Sequence, residues 1–339
     1  MESNRNLKCR QWLAAAAIAL AAAAPARAEV DEVKMMSQYG IGYMQLTLMK
    51  ELKLVEKHLA AAGLGASKVT WATMGAGAAA NDALLSGNLH FASGGTGPAI
   101  ILWDRTRGSV DVRGVAALSS MPNLLVSRNP AVKTIRDFTE KDRIAMAGAG
   151  SSVQTTYLQM ASAKEFGMEN YKKLMPLMVN LSHPDGLRAL LAGGGEITSQ
   201  FTSPPFQNQA LETPGVRVVL NSYDVMGGAN TFLMVWAAKK FRDENPKTYK
   251  AVLDAMKEAT DMINADKRKA AEIYVKQGGG KESVDKILAI MNDPQVHYTL
   301  APERILPYAQ FMQQVGTLKN KPASWKDLFF PDIHDLPGS

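Results

Sequence analysis

The 339 residues hold a single cysteine, Cys9, so no disulfide can form within the chain and a small cross-linked scaffold is excluded. Charge of one sign is also lacking: 38 lysines and arginines face 32 aspartates and glutamates, a net +6. The one tight basic run, Lys267-Arg268-Lys269, falls on a helical face and reads as solvated surface, so no nucleic-acid partner is expected. Catalytic signatures are missing as well. There is no Gly-x-Ser-x-Gly elbow, no His-Glu-x-x-His and no Gly-x-x-x-x-Gly-Lys-Ser/Thr loop. The five histidines, His58, His90, His183, His297 and His334, stand at no metal-ligand spacing, so neither a metal nor another cofactor is expected. No nucleophile and base are paired in sequence, and the chain is expected not to be an enzyme.

No apolar run reaches the ~20 residues that span a bilayer. The uncharged run Trp12 to Ala24 is short and alanine-rich, follows Arg5, Lys8 and Arg10, and precedes the small-x-small triplet Ala26-Arg27-Ala28. This is the pattern of a cleavable signal peptide over residues 1–28, and the exported chain is expected to start at Glu29. Cleavage would remove Cys9 and leave 34 basic and 31 acidic side chains, a near-neutral domain of the periplasm held together by its core.

What is present is an alternation of short β-like runs with helical stretches. Strands are expected at Val33 to Ser37, Val69 to Met74, Leu89 to Ser93 and Val112 to Leu118, with helices near Tyr43 to Lys53, Ala78 to Leu85 and Pro98 to Thr106. A second round places strands near Leu124 to Ser127, Arg143 to Ala147, Leu174 to Met178, Ile197 to Phe201 and Val216 to Leu220. The rhythm is that of an α/β chain with largely parallel sheets. The two rounds also share residues: Ala83 to Pro98 aligns without gaps to Ala189 to Pro204, identical at seven of sixteen positions. Each copy reads as a helix end, a glycine turn, a strand and a loop bearing a hydroxyl, Thr96 in one and Thr202 in the other. From Pro246 onward the chain turns helical, with Asn245 as an expected N-cap, and the tail after Trp325 is expected along the surface.

Features suited to binding an anion are better represented than those suited to catalysis. Gly148-Ala149-Gly150-Ser151-Ser152 follows a strand and opens a helix over Val153 to Phe166, where free N–H groups and the positive helix end favour negative charge. The bland alternative is that Ser151 or Ser152 merely caps its own helix. A second loop, Ser93 to Pro98, offers Gly94, Gly95 and Thr96, and its repeat partner offers Thr202 and Ser203. His183 stands at a helix start beside Pro184 and Asp185.

The order of Gly40-Ile41-Gly42-Tyr43, Ala83-Leu84-Leu85-Ser86-Gly87, Gly150-Ser151-Ser152, Ala189-Leu190-Leu191-Ala192-Gly193 and Pro204-Pro205-Phe206 resembles the nitrate/sulfonate/taurine class of ABC-transporter substrate-binding proteins. The resemblance implies an α/β, two-lobed type II periplasmic binding protein fold with the ligand cleft between the lobes. It also implies capture of a small, anionic solute for a permease and an ATPase in the inner membrane. Two departures bear on the solute: Pro204 stands where the family carries an acid before the Pro-aromatic pair, and Glu196 follows the glycines at 193–195 where the family has Asp-Ala.

With crossings near Ser119-Ser120 and Asn221-Ser222, one lobe holds residues 29–118 plus 223–339 and the other 119–222. Ligands of such folds sit beyond the strand ends. That selects the loops above, with Gln38, Tyr39, Gly42, Tyr43, Ser119 and Asn230 as further candidates beside Ser151, Ser152 and His183. A monomer is expected. The alternatives are an enzyme of the same fold, similar to thiamine-pyrimidine synthases, whose cysteine-rich motif is missing here, and a solute sensor without a transport role.

Overall fold

The computed structural model describes residues 29–75, 77–278 and 282–339, so the leader read at 1–28 and two glycines of the run Gly278-Gly279-Gly280 lie outside the described residues. In chain order the elements are β1 (Glu32–Ser37), α1 (Met44–Glu51), α2 (Leu54–Ala61), β2 (Lys68–Thr73), α3 (Gly77–Leu85), β3 (Ala92–Gly95), α4 (Thr96–Thr106) and β4 (Val112–Ser120). The second round contains β5 (Leu124–Ser127), β6 (Ile144–Met146), α5 (Val153–Phe166), β7 (Met178–Asn180), α6 (His183–Ala192), β8 (Ser199–Thr202), α7 (Phe206–Leu211) and β9 (Arg217–Asn221). There follow α8 (Ser222–Met226), β10 (Thr231–Ala238), α9 (Lys239–Glu244), α10 (Pro246–Ala265), α11 (Lys267–Lys276), α12 (Val284–Met291), β11 (His297–Tyr298) and α13 (Ile305–Gln314).

Each round builds its own sheet, and the two have one plan. In the second, the order is β7-β6-β8-β5-β9. In the first, β2 pairs with β1, a parallel bridge from Met35 to Phe91 ties β1 to the chain entering β3, and the order runs on as β3-β10-β4-β11. Both sheets insert one antiparallel strand between their third and fourth members, β10 in the first and β5 in the second. Those two strands are exchanged: the first sheet's last strand of its round leads into β5, and the second sheet's β9 leads back to β10. The sheets are therefore mixed rather than largely parallel, because each crossing delivers its strand from the opposite direction.

The repeat coincides with the third strand of each sheet. Ser93 in β3 and Ser199 in β8 are both fully buried, and the glycines that end the preceding helices, Gly87 and Gly193, both have positive φ, 76° and 68°. That conformation suits glycine at a helix end.

Several local expectations shift. Leu174 to Met178 is mostly a 3-10 turn at Met175–Leu177, and the strand follows it. Helix α2 and strand β10 were not foreseen. Asn245 does not cap α10; its Oδ1 accepts from the Val30 N–H, and the carboxylate of Glu29 accepts from the N–H groups of Lys247 and Thr248 instead. The C-terminal tail is not merely superficial: Trp325, Leu328, Phe329, Phe330 and Ile333 are buried, and the Phe330 N–H donates to the Gly114 carbonyl of β4. On α10, Tyr249, Val252, Met256, Ala259 and Ile263 recur at helical spacing and are buried against the first sheet's layer. Of the basic run on α11, Arg268 and Lys269 are exposed as expected, pairing with Asp285 and Glu272, whereas Lys267 is half-buried and its Nζ donates to the Met291 carbonyl at 2.7 Å.

Candidate functional site

Two loops meet face to face between the sheets. The turn from β3 into α4 packs on the turn from β6 into α5 so closely that a Cβ on Gly95 would lie 3.1 Å from a Val153 methyl. One on Gly97 would lie 2.8 Å from the Ser151 carbonyl oxygen. Glycine at these positions is what allows backbone to approach backbone. Beside this junction, α6 starts at His183, and the three helix starts surround a cavity of about 30 Å³ lined by Gln38, Tyr43, Gly95, Ser152, Gln154 and His183, with Phe232 and Leu233 of β10. Helix N-termini carry unpaired N–H groups and a partial positive charge. At α5 the N–H groups of Val153 and Gln154 have no acceptor among the described residues.

Ser152 lines the cavity and also caps α5, its hydroxyl accepting from the Thr155 N–H at 3.2 Å. The capping reading is therefore realised, and it leaves the side chain at the cavity wall. His183 is held from behind by alternate residues of β8: Gln200 donates to the His183 carbonyl at 2.8 Å, and the Thr202 hydroxyl bonds Nδ1 at 2.9 Å. Its ring stacks on Phe206, with centroids 5.8 Å apart. Burial pushes its pKa down to about 4, so the ring is neutral at pH 7. Tyr43 lines the cavity too; burial drives its ionisation up, so it stays a neutral hydroxyl that makes no hydrogen bond among the described residues.

The other expected residues take supporting places. Gln38 lines the cavity while its amide donates to the Ser93 carbonyl at 2.9 Å, and a Cβ on Gly94 would meet that amide at 2.9 Å. Tyr39 is exposed at the mouth. Gly42 packs on Leu233 and Ser119, and Ser119 is buried in β4, so neither lines the cavity. Thr96 is buried with its hydroxyl beside that of Tyr308 on α13. Ser151 contributes its backbone to the loop junction, and Thr202 acts through His183. Ser203 sits beside Gly40, where the Ile41 N–H donates to the Pro204 carbonyl. Asn230 bonds the Tyr157 hydroxyl of α5 behind the cavity wall.

Sequence reasoning missed Gln154. It is buried two residues beyond the cap, and its amide donates to Asn123 Oδ1 at 2.8 Å. Asn123 lies on the first crossing and is bonded to the second: its N–H donates to the Ser222 hydroxyl and its carbonyl accepts from the Ser222 N–H, each at 2.9 Å. Gln207 braces the same place through the Leu124 N–H and the Pro122 carbonyl. A polar residue in the first turn of a foreseen helix was the signal available for Gln154. Its partner, 31 positions away, was not. Among the described residues no cluster of His, Cys, Asp or Glu could hold a metal ion, and no helix is long and apolar enough to cross a membrane.

The sequence profile of the NMT1-like family matches residues 26–276. No curated protein sequence matches the chain. Among solved structures, the alkanesulfonate-binding protein SsuA from Xanthomonas axonopodis pv. citri bound to MOPS is similar at a TM-score of 0.67 and 18% identity, over 87% of this chain and 96% of that one. The periplasmic aliphatic sulphonate binding protein SsuA from Escherichia coli is similar at 0.63 and 18%, over 89% and 92%. The periplasmic nitrate-binding protein NrtA from Synechocystis PCC 6803 is similar at 0.66 and 17%, over 87% and 83%. These likenesses establish the fold, the two-lobed periplasmic binding protein fold expected from the sequence.

Proposed function

The chain belongs to the NMT1-like family, and from this premise we propose that it is a solute-binding protein that closes on a small anion and delivers it to an ABC importer. The observation that carries the reading is the convergence of three helix starts, from both sheets, on one cavity whose side chains are neutral. Backbone N–H groups and helix dipoles stabilise an anion there without a buried counter-charge, and they are rigid before the solute arrives. A cavity of about 30 Å³ has room for little more than water. The halves must therefore part to admit a solute, and the paired crossings at Asn123 and Ser222 are where such a motion would turn.

The same reading assigns residues 29–118 plus 223–339 to one lobe and 119–222 to the other, and places Gln38, Tyr43, Ser152, Gln154 and His183 against the solute. It takes residues 1–28 as a leader removed before Glu29, the periplasm as the site of action, and a permease and an ATPase as partners of a monomer that binds without catalysis. Export is tested by N-terminal sequencing of periplasmic protein, where Glu29 is expected first. Binding is tested by thermal denaturation against nitrate, sulfonates and carboxylates. A ligand at 100 times its Kd adds about 2.7 kcal/mol of stability, and mass spectrometry should return it unchanged. A panel that leaves the melting curve unmoved, or a solute chemically altered by stoichiometric protein, would refute the reading.

A further inference from the structure

A further cavity, about 720 Å³, shares no lining residue with the one among the helix starts. Along α10 it is lined by Pro246, Tyr249, Lys250, Leu253, Asp254 and Lys257, which recur at helical spacing over about 16 Å. Leu300, the tail residues Asp332, Ile333 and Leu336, and Arg242 and Asp243 of α9 complete the lining. Every charged side chain in it is already paired: Arg242 with Asp332 at 2.8 Å and Asp243 at 3.2 Å, Lys250 with Asp254 at 2.6 Å, and Lys257 with Asp261 at 2.8 Å. Leu253, Leu300 and Leu336 are only half-buried, so part of their surface is still in water. Tyr249 is 2% exposed, with the Arg242 guanidinium over its ring and Phe330 edge-on to it. Its hydroxyl lies beside Arg242 and Asp332 but in hydrogen-bonding geometry with neither.

We propose that this cavity is a second binding site, for an uncharged organic molecule with an apolar body and one hydrogen-bonding oxygen. The inference goes beyond the anion reading, and neither rests on the other. The volume falls in the range of small-molecule pockets, roughly 300–1,000 Å³. A charged ligand would meet cations and carboxylates in equal number, three of each, and would gain little net attraction for giving up its water. A neutral body gives up no such hydration, and it covers Leu253, Leu300, Ile333 and Leu336. The Tyr249 hydroxyl is the bond left unmade. Arg242 and Asp332 are both partly exposed, so their pairing contributes little, and a ligand oxygen admitted between them would complete that bond.

Methyl NMR on the whole purified protein, labelled at leucine and isoleucine, tests this with three molecules of one shape. They are 4-phenylphenol, uncharged at neutral pH, the anion biphenyl-4-carboxylate and the cation 4-phenylbenzylamine. The phenol should shift the methyls of Leu253, Leu300, Ile333 and Leu336 saturably, with a Kd at least about tenfold below that of either charged analogue at the same methyls. Leu253→Trp, which fills the cavity from α10, should raise that Kd at least about tenfold. Leu336→Asp, on the half-buried tail, should do the same and serves if the first variant does not fold. Tyr249→Phe, which keeps the ring, should weaken the phenol severalfold, and Ser152→Asp, at the other cavity, should leave its Kd unchanged. No saturable shift at those methyls, equal Kd values for the three molecules, or phenol binding undiminished in either folded cavity variant overturns the proposal. An unchanged Kd in Tyr249→Phe overturns the place given to the hydroxyl. Anion binding among the helix starts, measured separately by calorimetry, stands or falls independently of all these outcomes.

Discussion

His183 joins the site to pH. Its folded pKa of about 4 lies below the ordinary ~6.5 of an unfolded chain because burial disfavours the charged ring. Between those values the unfolded chain takes up a proton that the folded protein refuses, so stability is full above about pH 6.5, falls as pH drops toward 4, and levels off below. The ring is half-buried, so we expect a loss of about 1–3 kcal/mol across this window rather than the full shift. His90, lowered first by burial and then by Lys34, acts with the same sign. The difference between wild type and His183→Gln in urea midpoints at pH 7 and pH 5 isolates the share of His183, and the variant should lose less. At Ser152 the two roles separate by substitution. Ser152→Ala removes the cap and should cost about 1 kcal/mol, whereas Ser152→Asp keeps a capping oxygen but places negative charge where the anion would sit. Near-normal stability with anion affinity reduced more than about tenfold, read by calorimetry, is the expected result for the aspartate; unchanged affinity would leave Ser152 a cap and nothing more.

In the proposed function, helix α5 would link binding to the turning point at the crossings. Its first turn supplies the cap, two free N–H groups and Gln154, and Gln154 reaches Asn123, which is bonded across to Ser222. Asn123→Ala would strand the buried Gln154 amide, at a cost of about 1–3 kcal/mol in unfolding free energy. It should also weaken solute binding, since the crossing would no longer follow the helix. Denaturant titration and calorimetry on the same variant measure both, and a stability loss without any change in affinity would confine Asn123 to a structural role. Elements differed in how legible they were. Helix α5 was read to the residue, from Val153 to Phe166, because a glycine-serine turn marks its start and a glycine its end. Helix α2 went unread: the expected helix stopped at Lys53, and the residue dividing α1 from α2 is Lys53 in a left-handed conformation, which no glycine or proline announces. Strand β10, TFLMVWAA, is buried on nearly every residue and shows no alternation, so its pattern resembles a buried helix as much as a central strand.

For the whole molecule the controlling fact is contact between backbones across the cleft. A side chain at Gly97 has no room: its Cβ would stand 2.7 Å from the Tyr308 hydroxyl and 2.8 Å from the Ser151 carbonyl oxygen. We therefore expect Gly97→Val to hold the two halves apart. In X-ray scattering, the solute-free wild type should have a larger radius of gyration than this closed structure and contract when a stabilising anion is added, while the variant stays expanded. A wild type that matches the closed form with and without ligand, despite binding it, would show that closure is not coupled to the solute.

The sequence alone determined the mixture of strands and helices, the repeat that marks the third strand of each sheet, and the helix starts with donor-rich loops. These depend on local chemistry: glycine at positive φ, hydroxyls at caps, and apolar spacing along one segment. It also carried the resemblance that the family match and the solved structures bear out. The tertiary structure decided the rest. Direction within the sheets followed from the exchange of β5 and β10, which depends on partners about a hundred residues apart. Which hydroxyls face the cavity was equally non-local. Ser152 and His183 line it while Thr96, Ser119 and Thr202 turn to Tyr308, Gly42 and His183, because a side chain's direction is set by the neighbours that pack on it, and those neighbours lie on other elements of the fold.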